Sequence, residues 1–238
     1  MDSEPQYFRA IKEYSEQELL DILLEESEVP FSIAIGVEDY GLGQSTCSML
    51  INHQEENKIS YVHCGQELEL TTTTYIDHQV KNGIYYIMPS SNDDVAVLTA
   101  KLERIKLKNS KFPYNYNHSK LTFFLASGVL VCEPKKGLTC ATFVSVLLQS
   151  VLNIELLDLD HWMPRHEDHR YLVDDLRVSQ SKLPRFRIRP EDVAVCVGGL
   201  DPNILLRDQG PIPFKVMDVY SRKLARKMRL RIADYFEE

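Results

Sequence analysis

Lys136-Gly137-Leu138-Thr139-Cys140-Ala141-Thr142-Phe143 places a cysteine at the first turn of the chain's most apolar helical pattern. Counting on from Cys140, apolar residues fall at Phe143, Val144, Leu147, Leu148, Val151 and Leu152, the i, i+3, i+4, i+7, i+8 series of one helix face. Thr142, Ser145, Gln149 and Asn153 lie off that face. Gly137 supplies a turn and Thr139 has the hydroxyl to cap the first backbone N–H groups, so the spacing predicts a helix beginning within a residue of Cys140. A sulfur there sits at the positive end of the helix dipole, which favours the nucleophilic thiolate. Against this stands the commonest fate of a free cysteine, which is burial as a small apolar side chain.

Upstream, Ile59-Ser60-Tyr61-Val62-His63-Cys64-Gly65-Gln66-Glu67 alternates as a strand, with Ile59, Tyr61 and His63 on one face and Val62 and Cys64 on the other. His63 is the candidate base, able to take the thiol proton and return it to a leaving group. His118, in the aromatic and polar loop Phe112-Pro113-Tyr114-Asn115-Tyr116-Asn117-His118, is the runner-up. That loop suits either a cleft wall or an ordinary proline turn with packed tyrosines. A carboxylate on the other imidazole nitrogen would fix the ring. Glu67, four residues on, shares His63's face if the strand runs through, with Glu69 and the threonines at 71 to 74 as competitors.

The turn Gly137-Leu138-Thr139-Cys140-Ala141-Thr142-Phe143-Val144, preceded by the His63 strand, resembles the circularly permuted branch of the papain-like, NlpC-type cysteine amidases and peptidases. The resemblance spans residues 30 to 200 and implies an α+β fold in which a cysteine-bearing helix packs on an antiparallel sheet carrying the base. It implies a thiol-dependent hydrolase of an amide or ester, or an acyltransferase, built on Cys140 and His63 with no cofactor or metal; the family pattern does not settle the third residue, for which Glu67 is taken from its place on the strand. A non-catalytic interaction protein on the same fold is the alternative.

At 238 residues, with 44% hydrophobic and 26% charged positions, the chain can bury a core without disulfides. Its five scattered cysteines form no C-x-x-C pair, which argues against a disulfide framework and for a reducing compartment. The N-terminus lacks the basic and apolar regions of a secretory signal, so a cytoplasmic protein is expected. The uncharged run from 137 to 154 is too polar for a membrane span. A net charge of −8 disfavours a nucleic-acid partner.

Flanking the central domain, residues 1–29 contain an acidic helix over 15 to 26, with Ser15 and Glu18 as a capping box. Residues 201–238 comprise a Pro/Gly-rich connector and a basic amphipathic helix from Phe214 to Phe236. These oppositely charged helices offer a face for a protein partner, or for each other. Strands are expected from Phe31 to Val37, Thr46 to Ile51, Ile59 to His63 and Val80 to Met88, a helix from Asn92 to Leu107, short paired strands within Leu121 to Cys132, and a helix opening at Pro190. His161, His166 and His169, with Glu167 and Asp168, raise a metal site, but Pro164 breaks the helical spacing and no second cluster completes it.

Overall fold

The computed structural model describes residues 14–15, 32–39, 45–53, 56, 58–65, 67–74, 83–109, 111–116, 119–175, 184, 186–201, 203–205 and 208–235. The expected acidic helix over 15 to 26 and His118 lie outside the described residues. Ser15 itself belongs to a two-residue strand.

One antiparallel sheet organises the α+β molecule. Its strands are β1 (Tyr14–Ser15), β2 (Ile33–Asp39), β3 (Ser45–His53), β4 (Lys58–Cys64), β5 (Leu68–Thr74) and β6 (Gly83–Met88), in the order β1-β6-β2-β3-β4-β5. A second, two-stranded sheet pairs β7 (Phe123–Phe124) with β8 (Leu130–Val131). The helices are α1 (Asn92–Lys108), α2 (Cys140–Leu152), α3 (His166–Arg170), α4 (Pro190–Gly198) and α5 (Phe214–Tyr235), with a π-helical turn at Tyr171–Asp175.

Alternation along each strand separates two buried faces. Ile33, Ile35 and Val37 of β2, with Cys47, Met49 and Ile51 of β3, join the helices in a common core that includes Phe143, Leu147, Leu148, Val193 and Val197. Phe214, Met217, Leu224 and Met228 of α5 enter the same core. On the other face, Glu38 is fully buried and accepts hydrogen bonds from Ser48 Oγ (2.6 Å), Tyr85 Oη (2.6 Å) and Tyr61 Oη (2.8 Å). Gly36 makes room for this: a Cβ there would run into the Tyr85 ring.

The helix ends follow local chemistry. Ser91 caps α1 in a capping box with Asp94, and the helix begins at the expected Asn92. Thr139 caps α2 by accepting from the Thr142 N–H, and Thr142 Oγ1 accepts from the Thr139 N–H. Pro190 sits at the start of α4, where its missing N–H costs nothing. The threonine run 71–74, expected only as a set of competitors for His63, pairs residue for residue with β4 as strand β5.

The segment after α2 is held by buried charge rather than metal ligands. Arg165 donates to both oxygens of Asp192 (2.8 and 2.9 Å) and also to Asp218, while Arg189 donates to Asp168 at 2.7 Å. His161 instead faces Asp158, at 2.9 Å. Among the described residues no three His, Cys, Asp or Glu side chains converge on a metal-sized site. Within α5, Arg222 pairs with Asp218 and reaches Glu167. Among the described residues no helix is long and apolar enough to cross a membrane.

Candidate active site

Cys140 is the first residue of α2, next to its Thr139 cap. Its side chain is almost entirely buried, at 9% exposure. The sulfur lies near the beginning of β3, where the Thr46 hydroxyl and the backbone N–H groups of Cys47 and Ala141 favour its thiolate form. The Cys140 N–H belongs to the first turn and has no carbonyl partner within the helix.

His63 enters from β4, whose Cα register sets it opposite Ser48 on β3. From there its Nε2 reaches Thr46 Oγ1, 2.8 Å away. Thr46 is 6% exposed and therefore has little water to compete for its hydroxyl. Thr46, at the strand's beginning, is thus near both the imidazole and the sulfur. A hydroxyl carries one proton and two acceptor positions. When it donates to a thiolate, it can accept from a protonated Nε2; when it accepts from a thiol, it can donate to a neutral Nε2. Both proton arrangements fit the same heavy atoms.

The carboxylate beside the other imidazole nitrogen is Glu69, with Oε2 3.8 Å from Nδ1. Glu67 lies in the turn between β4 and β5, with its side chain exposed, because β4 ends at Cys64 instead of running through. The Gly65 N–H to Glu67 carbonyl bond, 3.2 Å, closes that turn. Glu69 is the residue directly opposite His63 in the β4–β5 register.

Burial pushes the Cys140 thiol above its ordinary value, even though Thr46, the two N–H groups and Arg187 all favour the thiolate. The helix dipole alone suggested the opposite direction. Removing the sulfur from water costs the charged form more than these partners return. The resting sulfur is therefore a protonated thiol.

The aromatic loop comes to this site. Leu138 donates to the Pro113 carbonyl (2.8 Å), and Asn115 donates to the Leu138 carbonyl (3.3 Å), fixing Tyr114 beside the cysteine turn. This approach requires glycine at 137, since a Cβ there would run into the Pro113 carbonyl oxygen. Tyr114 and Tyr116 meet edge to face, 5.8 Å between centroids. Arg187 stacks on Tyr171, 4.0 Å from its centroid, and lies 5.8 Å from that of Tyr116. Its buried Nε has no hydrogen-bond partner among the described residues.

Thr46 and Arg187 were not singled out in the sequence. Thr46 looked like an ordinary strand residue, and only the β3–β4 register brings it to His63. No family model matches this chain, and neither the curated proteins nor the solved structures yield a match.

Proposed function

We propose that the chain is a thiol-dependent acyl-transfer enzyme, a hydrolase of an amide or ester, with a permuted papain-like arrangement of helix and sheet. The observation that carries this reading is the Thr46 hydroxyl, which lies 2.8 Å from His63 Nε2 and close enough to Cys140 to favour its thiolate. In this reading Cys140 is the nucleophile, His63 the base and Thr46 the route between them, at the capped start of α2.

In this mechanism the Cys140 thiol gives its proton to Thr46 Oγ1 while the Thr46 hydroxyl proton passes to His63 Nε2. The products are a thiolate and an imidazolium. The thiolate adds to the substrate carbonyl carbon, forming the C–S bond, and the carbonyl π pair moves onto oxygen. The Cys140 N–H is the donor available to that oxyanion. Collapse breaks the bond to the leaving amine or alcohol, which takes its proton from the imidazolium by the reverse relay. A thioester remains on Cys140 and passes to water or to an acceptor nucleophile. Glu69 orients the ring and offsets its charge.

The test is turnover of activated esters and amides, followed by intact-protein mass. A transient acyl adduct on Cys140, absent from Cys140→Ala, supports the reading. A panel that yields no adduct and no turnover above the Cys140→Ala variant rejects it.

A further inference from the structure

The hairpin β7–β8 is patterned the wrong way round for a surface exposed to water. Phe124 and Thr122 point inward, Phe124 packing edge to face on Phe112 (6.2 Å) and Phe143 (5.8 Å). The alternate positions face outward, where a soluble hairpin carries polar side chains. Here they are Leu121 (64% exposed), Phe123 (42%) and Leu125 (43%). Val129 is also exposed, and its carbonyl accepts from the Leu125 N–H at 2.9 Å.

The charge around this apolar strip is opposite in sign to that of the chain. Residues 97 to 136 contain eight Lys or Arg and two Asp or Glu, a net +6; the whole chain carries −8, so the remainder carries −14. Arg104, Lys106, Lys108, Lys111, Lys120 and Lys135 are all exposed. The end of α1 is fastened to the hairpin turn, with Asn109 Nδ2 donating to the Gly128 carbonyl (2.9 Å) and Lys101 to that of Leu125. Gly128 adopts φ +90°, and a Cβ there would run into the Arg104 backbone. Apolar tip and cationic helix end therefore form one fixed surface.

We propose that this surface docks on a lipid bilayer bearing anionic headgroups. Leu121, Phe123 and Leu125 enter the interfacial region while the surrounding lysines and arginines meet the phosphates and carboxylates. The strongly negative remainder is repelled by the same bilayer, so the field that attracts the hairpin also sets the orientation. An acidic protein would answer the lysines but leave the outward Leu-Phe-Leu row without apolar cover. A second copy of the chain would oppose two like-charged surfaces. The Phe112–Phe124 contact ties the docking hairpin to the loop bearing Tyr114, beside the Cys140 turn. The docking itself does not depend on the reaction proposed for Cys140.

Flotation of the full chain with vesicles decides the matter. It co-floats with vesicles containing about 30 mol % phosphatidylserine and not with pure phosphatidylcholine, and high salt releases it. Phe123→Ser/Leu125→Ser and the charge reversal Lys108→Glu/Lys111→Glu each reduce the bound fraction about tenfold or more. Phe123→Trp gives a positive reading that does not depend on losing anything. Its emission shifts to the blue on anionic vesicles and is quenched by brominated lipid, over the constant background of buried Trp162. Failure to float, equal flotation with both compositions, wild-type flotation of Phe123→Ser/Leu125→Ser, or a blue shift that depends on protein concentration without lipid would each overturn the proposal.

Discussion

Thr46 Oγ1 lies 2.8 Å from His63 Nε2, and the same side chain favours the Cys140 thiolate. In the proposed reaction the base acts on the nucleophile only through an atom that mutagenesis can remove. Serine in place of Thr46 keeps the hydroxyl, whereas valine keeps the shape and loses it. Acylation rates should fall by about 10²–10³ in Thr46→Val and by less than about tenfold in Thr46→Ser. Stopped-flow release of a chromogenic leaving group measures both.

Two nearby glutamates have different standing. Glu69 is 3.8 Å from the imidazole and 63% exposed, so its attraction is screened. Glu69→Gln is expected to lower the acylation rate by about threefold to tenfold, with an altered pH profile, and Glu67→Gln to leave both unchanged. The kcat/KM profile of each variant between pH 5 and 9 distinguishes them.

Burial raises the Cys140 thiol above its ordinary value, and burial likewise raises Cys47 and Cys196 well above theirs. The folded protein therefore holds these protons to higher pH than the unfolded chain. Stability is constant below the unfolded thiol value of about 8.5 and falls as pH rises beyond it. Urea midpoints should decline from pH 8 to 10. Iodoacetamide should modify Cys140 with a rate that is still climbing above pH 9, and Arg187→Gln should move that curve further up because it removes a cation that favours the thiolate.

Arg165 is 2% exposed at its side chain and serves three carboxylates, those of Asp168, Asp192 and Asp218. Arg165→Met leaves a buried Asp192 without its counter-charge and is expected to cost about 3–5 kcal/mol in urea unfolding. Burial pushes Asp218 upward, but hydrogen bonds from Arg222 and Arg165 and their positive charges bring it below the usual carboxylate range. Its contribution is thus present above the unfolded value of about 3.9 and is lost as pH falls through the lower folded value. Asp218→Asn should flatten the acid limb of a stability–pH curve.

Gly137 lies where the aromatic loop crosses the cysteine turn. Gly137→Ala drives a methyl into the Pro113 carbonyl oxygen, so the loop must move. A loss of about 1–3 kcal/mol is expected, with a fall in activity larger than that of Tyr114→Phe. Thermal melts and turnover on the same preparations measure the two effects.

Much of this architecture is written in local patterns. The 3.6-residue period after Cys140, the Thr139 cap, the short paired strands within Leu121 to Cys132 and Pro190 at a helix start each have a one-dimensional signature, and each helix or hairpin appears where its signature stands. Pairing between strands is what the sequence conceals. Thr46 and His63 are seventeen residues apart and meet only because Ser48 registers with His63. Glu69 faces His63 because the chain turns at Gly65 rather than continuing straight. Arg165 and its carboxylates are equally hidden, since hydropathy reads such residues as surface.

A double-mutant cycle on Thr46 and His63 bears most directly on the relay. Rates of Cys140 acylation by an activated ester are compared for wild type, Thr46→Val, His63→Gln and the double variant, with folding checked by circular dichroism. Two residues in one proton path fail as a unit, so each single change should slow acylation to a similar extent and the double variant should be no slower than either. Losses that multiply, or a Thr46→Val enzyme as fast as wild type, would contradict a proton path through the threonine.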